Sequence, residues 1–236
     1  MKIQIFYITL FLVIFSVNLS SQKKPLDLAI IGEPLKDFTL PVYNGGEFKL
    51  STETGKNLLL IFPRGYYDKD VWCDICTYEY LDLIDVFYNN HLAEKYNLDL
   101  VFILPYDTST IRKWLEDLPE VYLGLEAGKH LADTLTNEKS MTWVHFATRH
   151  YPKTFNVQEG DAPQPFRILS DVNHQLSERL DIFRTEWWGT TVDQNMPTLI
   201  LLDTKGIVQF KYISQHTIDR SSSSYLIKIM DEFIMY

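Results

Sequence analysis

Asn57-Leu58-Leu59-Leu60-Ile61-Phe62-Pro63-Arg64-Gly65 is followed, after the six residues Tyr66 to Val71, by Trp72-Cys73-Asp74-Ile75-Cys76-Thr77. The first run is continuously apolar and stops at a proline, the pattern of a strand buried on both faces. After the second, Ile75, Tyr78, Leu81, Leu83, Ile84, Phe87 and Tyr88 recur at spacings of three and four, which predicts an amphipathic helix reaching about Asn90. Cys73 therefore stands at a strand-to-helix junction.

Outward from that junction the chain alternates. Pro25 to Pro41 is an extended lead-in, closed by a hairpin at Asn44-Gly45-Gly46. Leu98 to Leu104 is a second buried strand, and Thr108 to Leu118 a helix. Phe166 to Leu169 is a short strand, with Asp171 capping a helix from about Val172 to Leu180. Pro197 to Leu202, a turn at Asp203-Thr204-Lys205-Gly206 and Ile207 to Ile213 form a hairpin, and Tyr225 to Ile234 a last helix. Strands alternating with helices in this order predict an α/β fold with a central mixed sheet covered by helices. The segment from about 119 to 165 exceeds a minimal connection; Leu125, Leu131 and Leu135, then Trp143, Phe146 and Ala147, suggest two extra helices there.

The two cysteines are the only ones in the chain. Cys-x-x-Cys reads as redox-active or metal-binding. Zinc requires two further ligands, usually closely paired, and none of the six histidines forms such a pair, so no metal and no cofactor are expected. A structural disulfide would close a very small loop, where cross-linking contributes least. Redox chemistry is preferred. At a helix N-terminus Cys73 meets unpaired N–H groups and the positive end of the dipole, which favour its thiolate, so Cys73 is the expected nucleophile. Cys76, one turn deeper, is the expected resolving sulfur. Asp74, a carboxylate beside that thiolate, should moderate its activation.

The segment Met1-Lys2, an apolar run from Ile3 to Val17 and then Asn18-Leu19-Ser20-Ser21 resembles a secretory signal peptide. It predicts a leader over residues 1–21, a mature domain over 22–236 and an exported, periplasmic protein, with an uncleaved membrane anchor as the alternative. With 46% hydrophobic and 22% charged residues the remainder suits one globular domain. Its net charge of -9 argues against nucleic acid as a partner.

Gly32-Glu33-Pro34-Leu35-Lys36-Asp37-Phe38-Thr39-Leu40, Phe62-Pro63-Arg64-Gly65 with Trp72 to Cys76, Ile168-Leu169-Ser170-Asp171, and Met196-Pro197-Thr198 with Leu202 to Gly206 together resemble the redoxin family, which joins alkyl hydroperoxide reductase and thiol-specific antioxidant proteins to thioredoxin-like oxidoreductases. The resemblance spans about residues 31–233 and implies a thioredoxin-like fold with an N-terminal extension and a helical insertion. It implies a cis-proline at Pro197, which with Met196 would meet an extended substrate. Trp72 is a candidate docking rim, or core. Arg64 matches an Arg-Gly that could steady a thiolate, although six intervening residues favour surface solvation instead.

Peroxiredoxins resemble one another in a proline, three residues, a threonine or serine, two residues and the reactive cysteine. Counted back from Cys73, that pattern meets Asp70 and Tyr66 and is broken. The residues thus favour thiol–disulfide exchange with a protein or small-molecule disulfide over peroxide reduction, with a thiol reductase as electron donor; a peroxiredoxin-like peroxidase is the alternative. A further alternative is a non-catalytic binding domain carrying a structural Cys73–Cys76 bond, with Trp143, His145, Phe146, Tyr151 and Phe155 as its surface.

Overall fold

Residues 57–62 alternate between two cores. Leu58, Leu60 and Phe62 point to one side of the strand and Leu59 and Ile61 to the other, and all five are buried. The computed structural model describes residues 26–130, 138–160 and 163–234. The expected leader, and Leu131 and Leu135, lie outside them.

In chain order the strands are β1 (Thr39–Pro41), β2 (Glu47–Lys49), β3 (Asn57–Phe62), β4 (Tyr66–Asp68), β5 (Val71–Trp72), β6 (Leu98–Leu104), β7 (Arg167–Ser170), β8 (Phe183–Arg184), β9 (Gln194–Asn195), β10 (Thr198–Leu202) and β11 (Val208–Ile213). The helices are α1 (Asp74–Asn89), α2 (Leu92–Tyr96), α3 (Thr108–Lys129), α4 (Glu138–His150), α5 (Gln175–Arg179) and α6 (Ser223–Phe233). The main sheet has the order β11-β10-β3-β6-β7. β3, β6 and β7 are parallel, and β10 runs antiparallel to both its neighbours. Parallel neighbours need long crossovers. α1 and α2 supply the first, α3 and α4 the second.

One sheet face buries Leu59, Ile61, Leu100, Phe102 and Leu199 against α1, α3 and α6. The other buries Leu60, Val101, Ile103 and Ile200 under the N-terminal segment and α5, through Ala29, Phe38, Phe48 and Leu176. The expected mixed α/β fold is present, and no described helix is long and apolar enough to cross a membrane.

Two helices differ from their sequence reading. α3 continues through Pro119 to Lys129, because Ile111, Trp114, Leu115, Leu118, Tyr122 and Leu125 keep one buried face on both sides of the proline. That burial outweighs the roughly 3 kcal/mol that an interior proline costs. α5 begins only at Gln175, since His174 takes a left-handed conformation. Asp171 still serves it from outside, accepting the N–H groups of Leu176 and Ser177 at 3.2 and 2.8 Å.

Residues 66–71 form a small hairpin with the following tryptophan. β4 pairs antiparallel with β5, Tyr66 opposite Trp72, so the chain returns to where it left β3. The Cys73 N–H then donates to the Gly65 carbonyl at 3.0 Å. Gly65 has φ +83°, and a Cβ there would fall onto the ring of buried Tyr106, whose hydroxyl accepts the Tyr66 N–H at 2.8 Å. Gly206 has φ +79° with open space around it. Gly206→Ala is expected to cost only backbone strain, about 1 kcal/mol, whereas Gly65→Ala adds overpacking and should cost about 2–4 kcal/mol. Urea unfolding of the two variants checks this; equal losses would remove the steric role of Tyr106.

Candidate active site

The hairpin delivers Cys73 to the N-cap of α1. Its φ and ψ are -73° and 110°, and its sulfur accepts the Cys76 N–H at 3.4 Å. Both cysteines are reduced, with 4% and 2% of their surfaces exposed. The sulfurs lie within hydrogen-bonding reach of each other.

Their environments separate the two thiols in a sense opposite to the sequence expectation. Cys73 is held well above the ordinary thiol value, first because its proton is engaged by Cys76 and then by burial. Burial pushes Cys76 upward too, but the Cys73 hydrogen bond, the charge of Arg220 and the backbone N–H groups of Arg64 and Gly65 outweigh it and bring Cys76 down to about 6. Arg220 and the backbone N–H groups of Arg64 and Gly65 thus favour the thiolate of Cys76, one turn inside the helix, while the cap sulfur of Cys73 accepts the Cys76 N–H.

Arg220 lies between β11 and α6. Its side chain is only 9% exposed, with Nε 3.7 Å from Glu79 Oε2. Nη1 donates to Ser214 Oγ at 3.2 Å and to the Asp219 carbonyl at 2.9 Å. Glu79 follows Cys76 by three residues and so shares its helix face. Burial raises its carboxyl to about 7, against the pull of Arg220.

Arg64 is buried, 4% exposed, which corrects its reading as a solvated surface residue. Nε donates to Gln194 Oε1 and Nη2 to Thr190 Oγ1, both at 2.6 Å, and the guanidinium lies 5.1 Å from the centre of the Trp187 ring. Burial lowers its basicity while the cysteines' negative charge opposes that. The hairpin explains the correction: the six residues fold back on themselves instead of carrying Arg64 away.

Trp72, considered as a docking rim, is core. It is stacked on Tyr66 at 3.7 Å and its indole N–H donates to Asp117 Oδ2 at 2.7 Å, which ties the hairpin to α3. Pro197 is near the site but in another form than expected. There is no cis peptide among the described residues, and Pro197 lines a small recess with Glu79 and Arg220 while its carbonyl accepts the Ser214 N–H at 2.8 Å. Met196 packs toward the other sheet face, against the second core, and not toward the sulfurs. Asp74 is half-buried in the first turn of α1, and burial raises its carboxyl.

The insertion also reaches the site. The Tyr151 phenol is pushed up by burial and by the negative charges of Asp74, Cys73 and Cys76. Among the described residues no group of three or more His, Cys, Asp or Glu side chains could hold a metal ion. Arg220 and Glu79 escaped the sequence reading. Glu79 was signalled by its spacing from Cys76, but Arg220 carried no local signal, because it arrives through a turn pinned to Pro197.

No curated protein matches the chain. Among solved structures it is similar to Enterococcus faecalis AhpC, with 13% identity, 87% of this chain and 93% of that one covered, and a TM-score of 0.54. The mitochondrial 2-cys peroxiredoxin of Plasmodium falciparum gives 15% identity, 87% and 94% coverage and 0.52. A mutant of the peroxiredoxin 6 of Arenicola marina gives 14% identity, 86% and 72% coverage and 0.56. At these identities the likeness is one of fold, the thioredoxin-like fold expected from the sequence. The family model matches residues 31–211, and the chain belongs to the AhpC/TSA family.

Proposed function

We propose that this protein is an exported thiol-dependent peroxidase in which Cys76 attacks the peroxide and Cys73 resolves the product. The observation that carries the reading is the charge-compensated surround of the Cys76 sulfur, with Arg220, two backbone N–H groups and the Cys73 thiol all directed at one buried atom. Activation of a cysteine requires such a lowered thiol. Counted back from Cys76, the peroxiredoxin pattern places Cys73, a donor, at the hydroxyl position and Lys69 at the proline position. The burial of both sulfurs favours a small substrate over a folded protein. Export rests on the N-terminal apolar run alone.

In the first step the Cys76 thiolate attacks one peroxide oxygen. The S–O bond forms, the O–O bond breaks, and the departing alkoxide or hydroxide takes the Cys73 proton, leaving Cys76 as a sulfenic acid. Arg220 stabilises the developing oxyanion. The Cys73 thiolate then attacks the Cys76 sulfur; the S–S bond forms and hydroxide leaves, protonated by Glu79 or solvent to water. Two electrons have passed from the sulfurs to the peroxide.

An external thiol attacks Cys73 and forms a mixed disulfide with it, and a second donor thiol then attacks that bond, which restores the pair and leaves the donor as its disulfide. Cys76, with the lower pKa, is the better leaving group. In this half-reaction Cys73 is the exchanging sulfur, as the sequence reading had it. The thiol–disulfide exchange inferred there is kept as the return path.

Reaction of the reduced protein with hydrogen peroxide in single turnover checks the assignment. Cys73→Ser should still consume peroxide and trap dimedone as a Cys76 adduct, without forming a disulfide, while Cys76→Ser should react at the background rate. Peroxide reactivity retained by Cys76→Ser and lost in Cys73→Ser would reverse the roles.

The pH profile supplies a second test. The reactive form is deprotonated, so the rate should rise with pH through about 6 and then level. In Arg220→Met the midpoint should move up toward the ordinary thiol value of about 8.5, and the neutral-pH rate should fall about 10²-fold. An unmoved midpoint would remove Arg220 from the mechanism.

A further inference from the structure

The sequence His150-Tyr151-Pro152 closes α4 and fixes the side chain that follows it. Proline does not continue the helix, so the turn ends with the Tyr151 N–H, which donates to the Ala147 carbonyl at 2.8 Å. The Tyr151 ring packs on Tyr78 of α1 and on Phe146 of α4, with ring centres 5.1 and 6.0 Å away, and 2% of the residue is exposed. The chain beyond is tied to the same helix at Lys153, whose N–H donates to the Tyr78 hydroxyl at 2.9 Å.

A phenol carries a polar atom into that packing, and a buried tyrosine ordinarily gives it a partner. Among the described residues the other buried tyrosines, Tyr78, Tyr80, Tyr96, Tyr106 and Tyr122, all have hydrogen-bonded hydroxyls. Tyr151 is the exception: its hydroxyl has no hydrogen-bond partner among the described residues. Packing would be served as well by phenylalanine, so the oxygen calls for another explanation.

Its surroundings supply one. Tyr151 lines a cavity of about 470 Å³ between α1, the stretch from Phe146 to Lys153 and the start of α6. Ile75, from the turn between the two cysteines, lines the same cavity, as do Glu79 and Arg220, whose charges act on Cys76. Burial, and then the negative charges of Asp74, Cys73 and Cys76, hold the proton on the phenol against the pull of Arg220, so it stays a donor throughout the neutral range. It hydrogen-bonds neither sulfur. A donor that faces the sulfurs without bonding to them suits an acceptor that comes between, and in the peroxidase reading that acceptor is the peroxide. The peroxiredoxin pattern counted from Cys76 meets a thiol where a hydroxyl is usual, and a thiol is the weaker donor.

We propose that Tyr151 is a further catalytic residue, whose hydroxyl holds the outer oxygen of the peroxide while Cys76 attacks the inner one. As the S–O bond forms and the O–O bond breaks, the departing oxygen takes the Cys73 proton. The Tyr151 O–H donates a hydrogen bond to that oxygen and keeps its own proton, so it stabilises the developing charge without entering the balance of atoms or electrons. This role rests on the peroxidase reading of the cysteine pair.

Tyr151→Phe removes the oxygen and keeps the ring contacts, and circular dichroism should show an unchanged fold. In single turnover of the reduced chain with hydrogen peroxide its plateau rate should fall about 10²-fold. The midpoint at about 6 should stay where it is, in contrast to Arg220→Met. Alkylation of the reduced pair by iodoacetamide and reduction of its disulfide by dithiothreitol, which involve no peroxide, should proceed at the wild-type rates. A wild-type peroxide rate in Tyr151→Phe would overturn the role, as would a moved midpoint or an equal loss in alkylation, either of which would mark a general effect on the thiolate. A wild-type chain that iodoacetamide alkylates but peroxide leaves unchanged would overturn the peroxidase reading itself, and the role of Tyr151 with it.

Discussion

A negative sulfur with 2% of its residue exposed is tenable only if its lost hydration is replaced, and the meeting of Cys76 with Arg220 is the replacement on which the site depends. Taking an ion out of water costs several kcal/mol after relaxation, more than one neutral hydrogen bond returns. A guanidinium repays it better than an ammonium would, because it is weakly hydrated and its donors form a fork that can serve Ser214, Asp219 and the sulfur at once. Glu79 tempers the arrangement: near neutrality it is partly protonated, so Arg220 is not consumed by its carboxylate.

Bringing that arginine to that sulfur is a problem of backbone, solved at the carboxyl end of β3. There β3 lies between a parallel and an antiparallel neighbour, and the chain leaves the sheet toward α1. Crevices beyond the carboxyl ends of strands are where open α/β sheets place their ligands. The Cys73–Gly65 hydrogen bond fixes the start of α1 against β3, and the Ser214–Pro197 hydrogen bond fixes the chain that carries Arg220 against β10. Both anchors stand on adjacent strands, so the relative position of sulfur and guanidinium inherits the rigidity of the sheet. The lower basicity of buried Arg64 reflects the same crowding of charge.

What was legible in the sequence follows from the range of the forces involved. Periodicity is local, so β3, β6, α1 and the closing hairpin could be read from Leu58 to Phe62, Leu98 to Leu104, Ile75 to Tyr88 and Pro197 to Ile213. The continuation of α3 past Pro119 could not, because the decisive burial of Tyr122 and Leu125 comes from packing against other elements. Arg64 was misplaced for the same reason: its partners Gln194 and Thr190 are about 130 residues distant. The assignment of roles within Cys-x-x-Cys rested on the unpaired N–H groups and dipole at the helix start and on the one-turn spacing of the pair. That field favours the cap, whereas the guanidinium of Arg220 and the backbone N–H groups of Arg64 and Gly65, which only the folded chain brings to Cys76, had no local signal.

Two identical side chains one turn apart are thereby given different chemistry. The pair titrates as a unit, and its surroundings favour the charge on Cys76, which Arg220 and the backbone N–H groups of Arg64 and Gly65 lower, over Cys73, which the Cys76 contact and burial raise. The separation suits a two-step cycle better than two equal thiols would. The first step needs a thiolate and a nearby acid, and the pair holds one of each. In the proposed cycle, consuming that acid creates the second nucleophile one helical turn from the oxidised sulfur. There the electrostatic bias that would make Cys76 the attacker of peroxide would also make it the sulfur expelled when the disulfide is reduced, so that one asymmetry orders both halves.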